Sequence, residues 1–448
     1  MTKDKLPHRR LLPAPGARRV GYSSKRVVQV AAERMETQPR GLRVLHVVTA
    51  SMSVSLMRGQ LKFLREAGFE VAVAAAPGEE FTAKARAEGA QPILVPLTRE
   101  MAPLRDLVAL FRVYSILRRM RPVIINFGTP KAGLIAGLAA RLSGVPCRVY
   151  TLRGLRCETA RGLKRQLLLF TERLACACAH RVVCVSESLR QKAVSLRIAK
   201  AKRTVVFAYG SSNGVDAGLF RPTVERLRMA MILREEKGIP KDAPIIGFVG
   251  RLVADKGIGD LFEAYLTLRG RFGDLRLLLV GEFEEGDPVP TAIRERIERD
   301  PNVTITGFVK DTAPYYQVMD VLALPTQREG FPSVILEAHA AGKAVVAYRA
   351  TGTVDAIVDG VNGILVPQGD AMELAEALST LISDRGLVRT MGRNGQERVE
   401  REFQPMRIWS ALANTYVRML EEKGISCAGI RLEKAWPCEA ENVQEALR

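Results

Sequence analysis

Short β-branched runs alternate with longer segments of helical period twice over along these 448 residues, and that order admits few folds. In the first series LRVLHVV, EVAVAAA, QPILVPL, PVIINFG, CRVYTL, RVVCVS and TVVFAY read as strands, with RGQLKFLREAG, LRDLVALFRVYSILRRM and GLIAGLAARLSG as helices between them. Repeated β-α-β order implies a parallel sheet with helices on both faces. The pattern pauses at the Gly, Ser and Asn cluster YGSSNGVDAGLFRP and the polar segment up to Asp242, then restarts with APIIGFV, LRLLLVG, NVTIT, DVLALP, AVVAY and GILVP. The expected class is α/β: two Rossmann-like, doubly wound domains facing a central cleft. Ligands in such sheets sit beyond the carboxyl ends of the strands, here both walls of the cleft.

These signals divide the chain into a basic arm over 1–41, a first domain over 42–222 and a second over 223–404. A helix over 405–422, in PMRIWSALANTYVRML, crosses back to the first domain, and a tail over 423–448 packs on the surface. The longest apolar runs, VLHVV, PVIINF and RLLLVG, stop far short of the ~18 residues that cross a bilayer. MTKDKLPHRRLLPAPGARRV is basic without an apolar stretch of secretory length. Seven cysteines, five of them between Cys147 and Cys184, do not make a disulfide framework. A cytoplasmic protein is expected.

Charge is uneven. Residues 1–210 hold 38 Lys and Arg against 13 Asp and Glu, whereas 211–448 hold 29 against 35. All the excess positive charge therefore lies in the first half, which should face nucleic acid, an acidic membrane surface or a phosphorylated ligand.

Two segments could carry chemistry. GFVGRLVADKGIGDLFEAY begins as a strand and ends as a helix. Gly250 at the strand end lets a ligand approach the backbone, and Arg251 and Lys256 then lie on the loop, as phosphate donors or as two solvated cations of a surface turn. In PTQREGFPSVILEAHAAGKAVVAY, Pro332 suits the first turn of a helix and Gly342 its end. Glu329 precedes that helix and Glu337 lies inside it. Free N–H groups from Phe331 to Val334 could bind an anion, with Glu329 on a sugar hydroxyl and Glu337 on a ribose hydroxyl. Two helix-associated glutamates facing solvent would give the same pattern.

Taken together, Glu-Gly-Phe-Pro followed by Glu337, and preceded by Gly250, Arg251 and Lys256, resembles the retaining glycosyltransferases of family 4, which have the GT-B fold. The resemblance covers roughly residues 42 to 422 and includes NGVDAGLFRP, ITGFVKDTAPYYQVMDVLALPT and RATGTVDAIVDGVNGILVPQGD. It implies that Arg251 and Lys256 neutralise a donor diphosphate, that Glu329 contacts the donor sugar and that Glu337 holds the ribose. Gly330, Phe331, Pro332 and Ser333 would form the loop on sugar and phosphate, and Phe308 and Val309 would lie against the nucleobase. Fixed cations and a helix N-terminus stabilise charge developing on a departing nucleotide, so neither metal nor cofactor is expected. The nucleotide-diphosphate sugar is a co-substrate.

Two departures from the family stand on the acceptor side. Where many relatives carry Gly-Gly, this chain has TASMSVSLMRGQ, with Ser51, Met52 and Ser53 near the expected glycines. Where many have histidine, VYTLRGLRCE presents Arg153 and Gly154; Arg153 suits a phosphate or acidic sugar, or an ion pair at the cleft edge. GTPKAGLIAGLAARLSGVP, TLRGLRCETARGLKRQLLLFTERLACACAH and GEFEEGDP are similar to the branch that builds capsular and exopolysaccharides on a polyprenyl pyrophosphate. The implied partners are a nucleotide sugar (UDP-linked), a lipid-linked saccharide acceptor and an anionic membrane surface at the inner face of the cytoplasmic membrane. LFRVYSILRRMRP and RGLKRQLLLF set Arg and Lys beside apolar helix faces, as a lipid-resting surface or as core helices with a solvated face. Two rivals are a GT-B epimerase or hydrolase of nucleotide sugars, disfavoured by the basic acceptor half, and a nucleic-acid-binding protein, for which the chain shows no binding module. Cys176, Cys178 and His180 do not share a helix face, and His46 and His339 are expected to pack or line the cleft.

Overall fold

The computed structural model describes residues 41–78, 80–98 and 102–432; the expected arm up to residue 40, and the tail from 433 with Trp436 and Cys438, lie outside the described residues. The first half runs β1 (Arg43–Val47), a 3-10 turn (Ser51–Met57), α1 (Gln60–Glu66), β2 (Glu70–Ala75), α2 (Phe81–Ala87) and β3 (Gln91–Leu94). It continues with α3 (Pro103–Met120), β4 (Ile124–Phe127), α4 (Pro130–Leu142), β5 (Cys147–Leu152), α5 (Gly162–Cys178), β6 (Arg181–Cys184), α6 (Glu187–Ser195) and β7 (Thr204–Val205). The second half carries α7 (Val224–Glu236), β8 (Ile245–Val249), α8 (Ile258–Arg269), β9 (Arg276–Val280), α9 (Thr291–Arg299), β10 (Val303–Ile305), α10 (Ala313–Val318) and β11 (Val321–Leu324). It ends with α11 (Ser333–Ala340), β12 (Ala344–Tyr348), α12 (Thr353–Ala356), β13 (Gly363–Val366), α13 (Ala371–Ser383), α14 (Arg385–Glu402) and α15 (Pro405–Glu421).

The strands form two parallel sheets, ordered β3-β2-β1-β4-β5-β6-β7 and β10-β9-β8-β11-β12-β13. β4, β8, β11 and β12 are buried along their whole length, which is why, apart from Asn126 in β4, they read as unbroken apolar runs: helices cover both faces. Edge strands β3 and β10 are not fully buried at any position. Strand order reverses between β1 and β4 and between β8 and β11, and a crevice opens beyond the strand ends at such a reversal.

Three local expectations change. TVVFAY pairs only through Thr204–Val205, because positive φ at Ala208, Gly210 and Ser211 turns the chain out of the sheet. The polar segment before Asp242 contains α7, capped by the Thr223 hydroxyl on the Arg226 N–H and packed on α10. Pro332 caps α11 instead of filling its first turn.

Two chain segments join the halves side by side, the Val215 N–H donating to the Phe403 carbonyl at 2.9 Å. α15 then enters the core of the first sheet through Ile408, Leu412, Tyr416 and Met419, and Asn126 Nδ2 donates to the Tyr416 hydroxyl at 2.7 Å. The tail begins against the same sheet's helices, the Arg431 N–H bonding the Ala67 carbonyl at 2.9 Å.

His46 and His339 are buried, and burial, with Arg153 as a second cause at His46, pulls them down to about 3 and about 4. The unfolded chain therefore takes up protons near pH 6.5 that the native protein refuses until near pH 4. Stability falls as pH drops through that window, by on the order of 3 kcal/mol per buried histidine. Thermal unfolding between pH 7 and 4 should show a shallower fall for His339→Gln; an unchanged slope would place the acid sensitivity elsewhere.

Candidate functional site

At the β8–β11 reversal two loops meet because glycines let backbone approach backbone. A Cβ on Gly281 would lie 1.9 Å from the Gly250 carbonyl oxygen, and one on Gly257 would lie 2.0 Å from that of Pro325. The first contact holds the ends of β8 and β9 together; the second presses the Lys256 turn onto the loop after β11. Lys256 is thereby delivered to Glu329, and the two side chains form an ion pair, 17% and 18% exposed. Desolvation offsets much of the attraction in a pair this shielded from water, and removing one partner strands the other's charge. Arg251 goes elsewhere: it is 55% exposed and bonds Glu284 at 3.0 Å. A second pair, Arg328 with Asp255, braces the same two loops.

The loop then enters α11, whose first N–H groups lack intrahelical partners. Phe331 is buried, its ring 5.4 Å from that of Phe403 and within 3.1 Å of where a Cβ on Gly210 would stand. It thus wedges the Glu329 loop between the two connecting segments. Glu337, one turn inside α11, accepts from the Tyr316 hydroxyl at 2.7 Å. Burial raises its pKa, opposed by that bond and by the positive charge of Arg58 from the first half. Phe308 stands 67% exposed after β10, while Val309 packs partly on the core.

On the opposite wall, Ser51, Met52 and Ser53 begin the 3-10 turn after β1. Arg153 makes no ion pair among the described residues, which overturns that expectation. Its guanidinium donates to Ser212 Oγ at 2.8 Å and the Gly128 carbonyl at 3.0 Å. Burial lowers it to about 10, opposed by the Tyr150 and Tyr416 phenols, so it remains a cation at neutral pH. Its backbone does more than its side chain: a Cβ on Gly330 would stand 2.0 Å from the Arg153 carbonyl oxygen, and Gly154, at φ +140°, lies beside it. The structure thus brings Lys256, Glu329, Gly330, Arg153 and Gly154 together, leaves Arg251 and Glu337 on separate partners, and leaves Phe308 exposed.

The residues that close the cleft are absent from the sequence reading. Ser186 Oγ donates to the Gly330 carbonyl at 2.7 Å. Asp355 caps α6 from the other half, accepting from the Glu187 and Ser188 N–H groups at 3.0 and 3.1 Å and from the Ser188 hydroxyl. Thr351 donates to Glu158 Oε2 at 2.7 Å and through its carbonyl holds the Glu329 N–H at 3.1 Å. Burial raises the Glu158 pKa, with the Thr351 bond opposing. Glu158 had one signal: it is the sole carboxylate between Asp106 and Glu172. No group of three or more His, Cys, Asp or Glu among the described residues is arranged to hold a metal ion; His180 Nε2 instead faces the Arg148 guanidinium at 2.9 Å.

This geometry can hold an anion near Lys256 and the start of α11, with a carboxylate one residue before the close contact between the halves. Residues 243–384 match the model of the group 1 glycosyl transferases, and 53–210 match that of the glycosyl transferase 4-like domain. The chain is 35% identical over 382 residues to the capsular polysaccharide biosynthesis glycosyltransferase CapM of Staphylococcus aureus, covering 85% of this chain and 98% of that one. It is 23% identical to the UDP-Gal:alpha-D-GlcNAc-diphosphoundecaprenol alpha-1,3-galactosyltransferase of Escherichia coli, over 73% and 83% of the two. Among solved structures, Anabaena HepE in complex with UDP and glucose superposes with a TM-score of 0.70 at 21% identity, over 84% of this chain and 99% of that one.

Proposed function

The chain belongs to the group 1 glycosyl transferases, and we propose that it moves a sugar, with retention at the anomeric carbon, from a UDP-sugar to a polyprenyl-pyrophosphate-linked saccharide in capsule or exopolysaccharide synthesis. It works at the anionic inner face of the cytoplasmic membrane, where such an acceptor is held. The relatives' lipid-linked acceptor and the basic first half support this reading, and the observation that carries it is the Lys256–Glu329 pair at the strand-order reversal beside the start of α11.

In the free protein each charge of that pair answers the other. A donor diphosphate arriving at Lys256, Arg251 and the first N–H groups of α11 supplies a second anion, so Lys256 turns to phosphate and Glu329 to a sugar hydroxyl. The base lies on Phe308 and Val309, the ribose on Glu337. As the bond between anomeric carbon and phosphate oxygen breaks, its electron pair moves to the nucleotide. Fixed donors meet that charge where it develops. The acceptor hydroxyl attacks from the same face and its proton leaves with the phosphate, so neither a covalent nucleophile nor a metal is required. Ser51, Ser53, Arg153 and Gly154 line the acceptor side, and the contacts of Ser186, Asp355 and Glu158 exclude water when the halves meet.

Thermal unfolding with UDP, GDP, ADP and CMP tests the donor site. A ligand at 100 times its dissociation constant stabilises by about 2.7 kcal/mol, so UDP alone should raise Tm by several degrees. A selective shift with another nucleotide would replace UDP, and no shift with any would overturn the donor site.

A further inference from the structure

From the surface of the first half we infer that α3 and α5 form one docking face for an anionic phospholipid bilayer. The inference deepens the membrane part of the reading above and rests on it only for its purpose. Both helices pack on α4, which is sunk between them because Gly133 and Gly137 bring it against Tyr150 and Cys178. Each helix buries one apolar face and exposes a second. Leu104, Leu107, Val108 and Phe111 of α3, and Leu163, Leu167 and Phe170 of α5, are 44% to 89% exposed. Scattered apolar residues are ordinary on a surface, but seven on the two helices that flank α4 are a patch with a partner.

Charge names the partner. Arg105, Arg112 and Arg119 stand seven residues apart along α3, and Arg161, Lys164 and Arg165 stand at the start of α5. Only two carboxylates occur in α3, α4 and α5: Asp106 is paired with Lys131 at 2.7 Å and Glu172 is buried, accepting from the Tyr150 hydroxyl at 2.8 Å. A second copy of this face would set cations against cations, and nucleic acid would leave the leucines and phenylalanines in water. An anionic bilayer takes both, acyl chains against the apolar stripe and phosphates against the guanidiniums. Between β3 and α3 a groove of ≈ 560 Å³, walled by Leu94, Phe111 and Ile116, carries Arg112 and Arg119 at its rim, suited to one lipid phosphate with its chain alongside. No helix among the described residues is long and apolar enough to cross a membrane, so the face rests in the interface.

Placement gives the face its use. Helices that connect parallel strands begin at the strands' carboxyl ends, the edge where the cleft opens. The exposed apolar residues all lie in the first halves of α3 and α5, so a bilayer touching them lies at the mouth of the cleft, where a lipid-linked substrate would enter.

Sedimentation of the full chain with vesicles free of any acceptor tests this. The protein should pellet with phosphatidylcholine vesicles containing phosphatidylglycerol and stay in solution with phosphatidylcholine alone. Phe111→Ser and Phe170→Ser should each weaken binding about tenfold, and Arg112→Ser with Arg119→Ser roughly fivefold per charge with a smaller salt dependence. All these side chains are exposed, so Tm and its response to UDP should stay at wild-type values. Residues 1–40 are identical in every variant, so the differences isolate the face. Wild-type binding by both Phe variants would overturn the inference, as would failure of the unmodified protein to pellet. A shift from dimer to monomer in light scattering would also overturn it, by making the patch a self-interface. Vesicle binding that survives while no nucleotide shifts Tm would leave the face standing and remove the donor reading instead.

Discussion

Lys256→Ala is expected to lower kcat/KM for sugar transfer by at least about a hundredfold, since deleting one donor aimed at developing charge costs roughly 10²–10³ in rate. The variant also leaves Glu329, only 18% exposed, without its counter-charge, so part of any loss could come from a disturbed loop. A second variant separates the two. Lys256→Ala combined with Glu329→Ala removes both charges, and with them the stranded carboxylate. It should regain the stability of the native loop and none of the rate. Titration with UDP should follow the rate, because the diphosphate has lost its cation in both variants, and Glu337→Ala should lose affinity through the ribose. Recovery of near-normal transfer by the double variant would reduce the pair to a brace and overturn the donor site.

Gly330→Ala should be nearly as damaging, by a different route. Its methyl would stand 2.0 Å from the carbonyl oxygen of Arg153 and 2.5 Å from the carbon, atoms of a backbone that cannot swing aside. The same peptide is held by Ser186 at 2.7 Å and approached by Gly352, so it cannot retreat. The halves must part or the Glu329 loop must move by about an ångström, and a displacement of that size costs about a hundredfold in rate. Stability should drop by about 1–3 kcal/mol, the usual penalty for overpacking. Gly273→Ala, which meets nothing within 4 Å, should change neither Tm nor kcat/KM. Wild-type transfer by Gly330→Ala would mean that the contact between Gly330 and Arg153 opens during turnover.

How much of this was legible in the residues depends on the distance over which each interaction acts. β8, β11 and β12 could be read directly, because a strand covered on both faces must carry no polar side chain and IIGFV, VLAL and AVVAY carry none. β7 was read four residues too long: TVVFAY has strand composition, and what ends it is a turn set by the junction downstream. Arg251, Lys256, Glu329 and Glu337 could be marked because Glu-Gly-Phe-Pro, the glutamate eight residues on and the Gly-Arg loop together resemble one family, whereas each segment alone read equally well as a solvated turn or a pair of surface glutamates. Their partners could not. That Lys256 meets Glu329 while Arg251 turns to Glu284 depends on glycines pressing one loop onto another, and glycine has the same letter whether it faces a backbone or open solvent.

The cleft contacts show the limit most clearly. Ser186 and Gly330 are 144 residues apart, Glu158 and Thr351 193, Ser188 and Asp355 167. No period or motif links positions so distant; they meet only once two independently wound sheets have been set face to face. The sequence by itself determined the two parallel sheets and the chemical types at their strand ends, because alternation, burial and turn formation are local properties of the chain. The tertiary structure alone decided which charges answer each other across the cleft and which apolar helix faces were left uncovered, because those outcomes follow from packing between segments whose order along the chain carries no record of their distance in space.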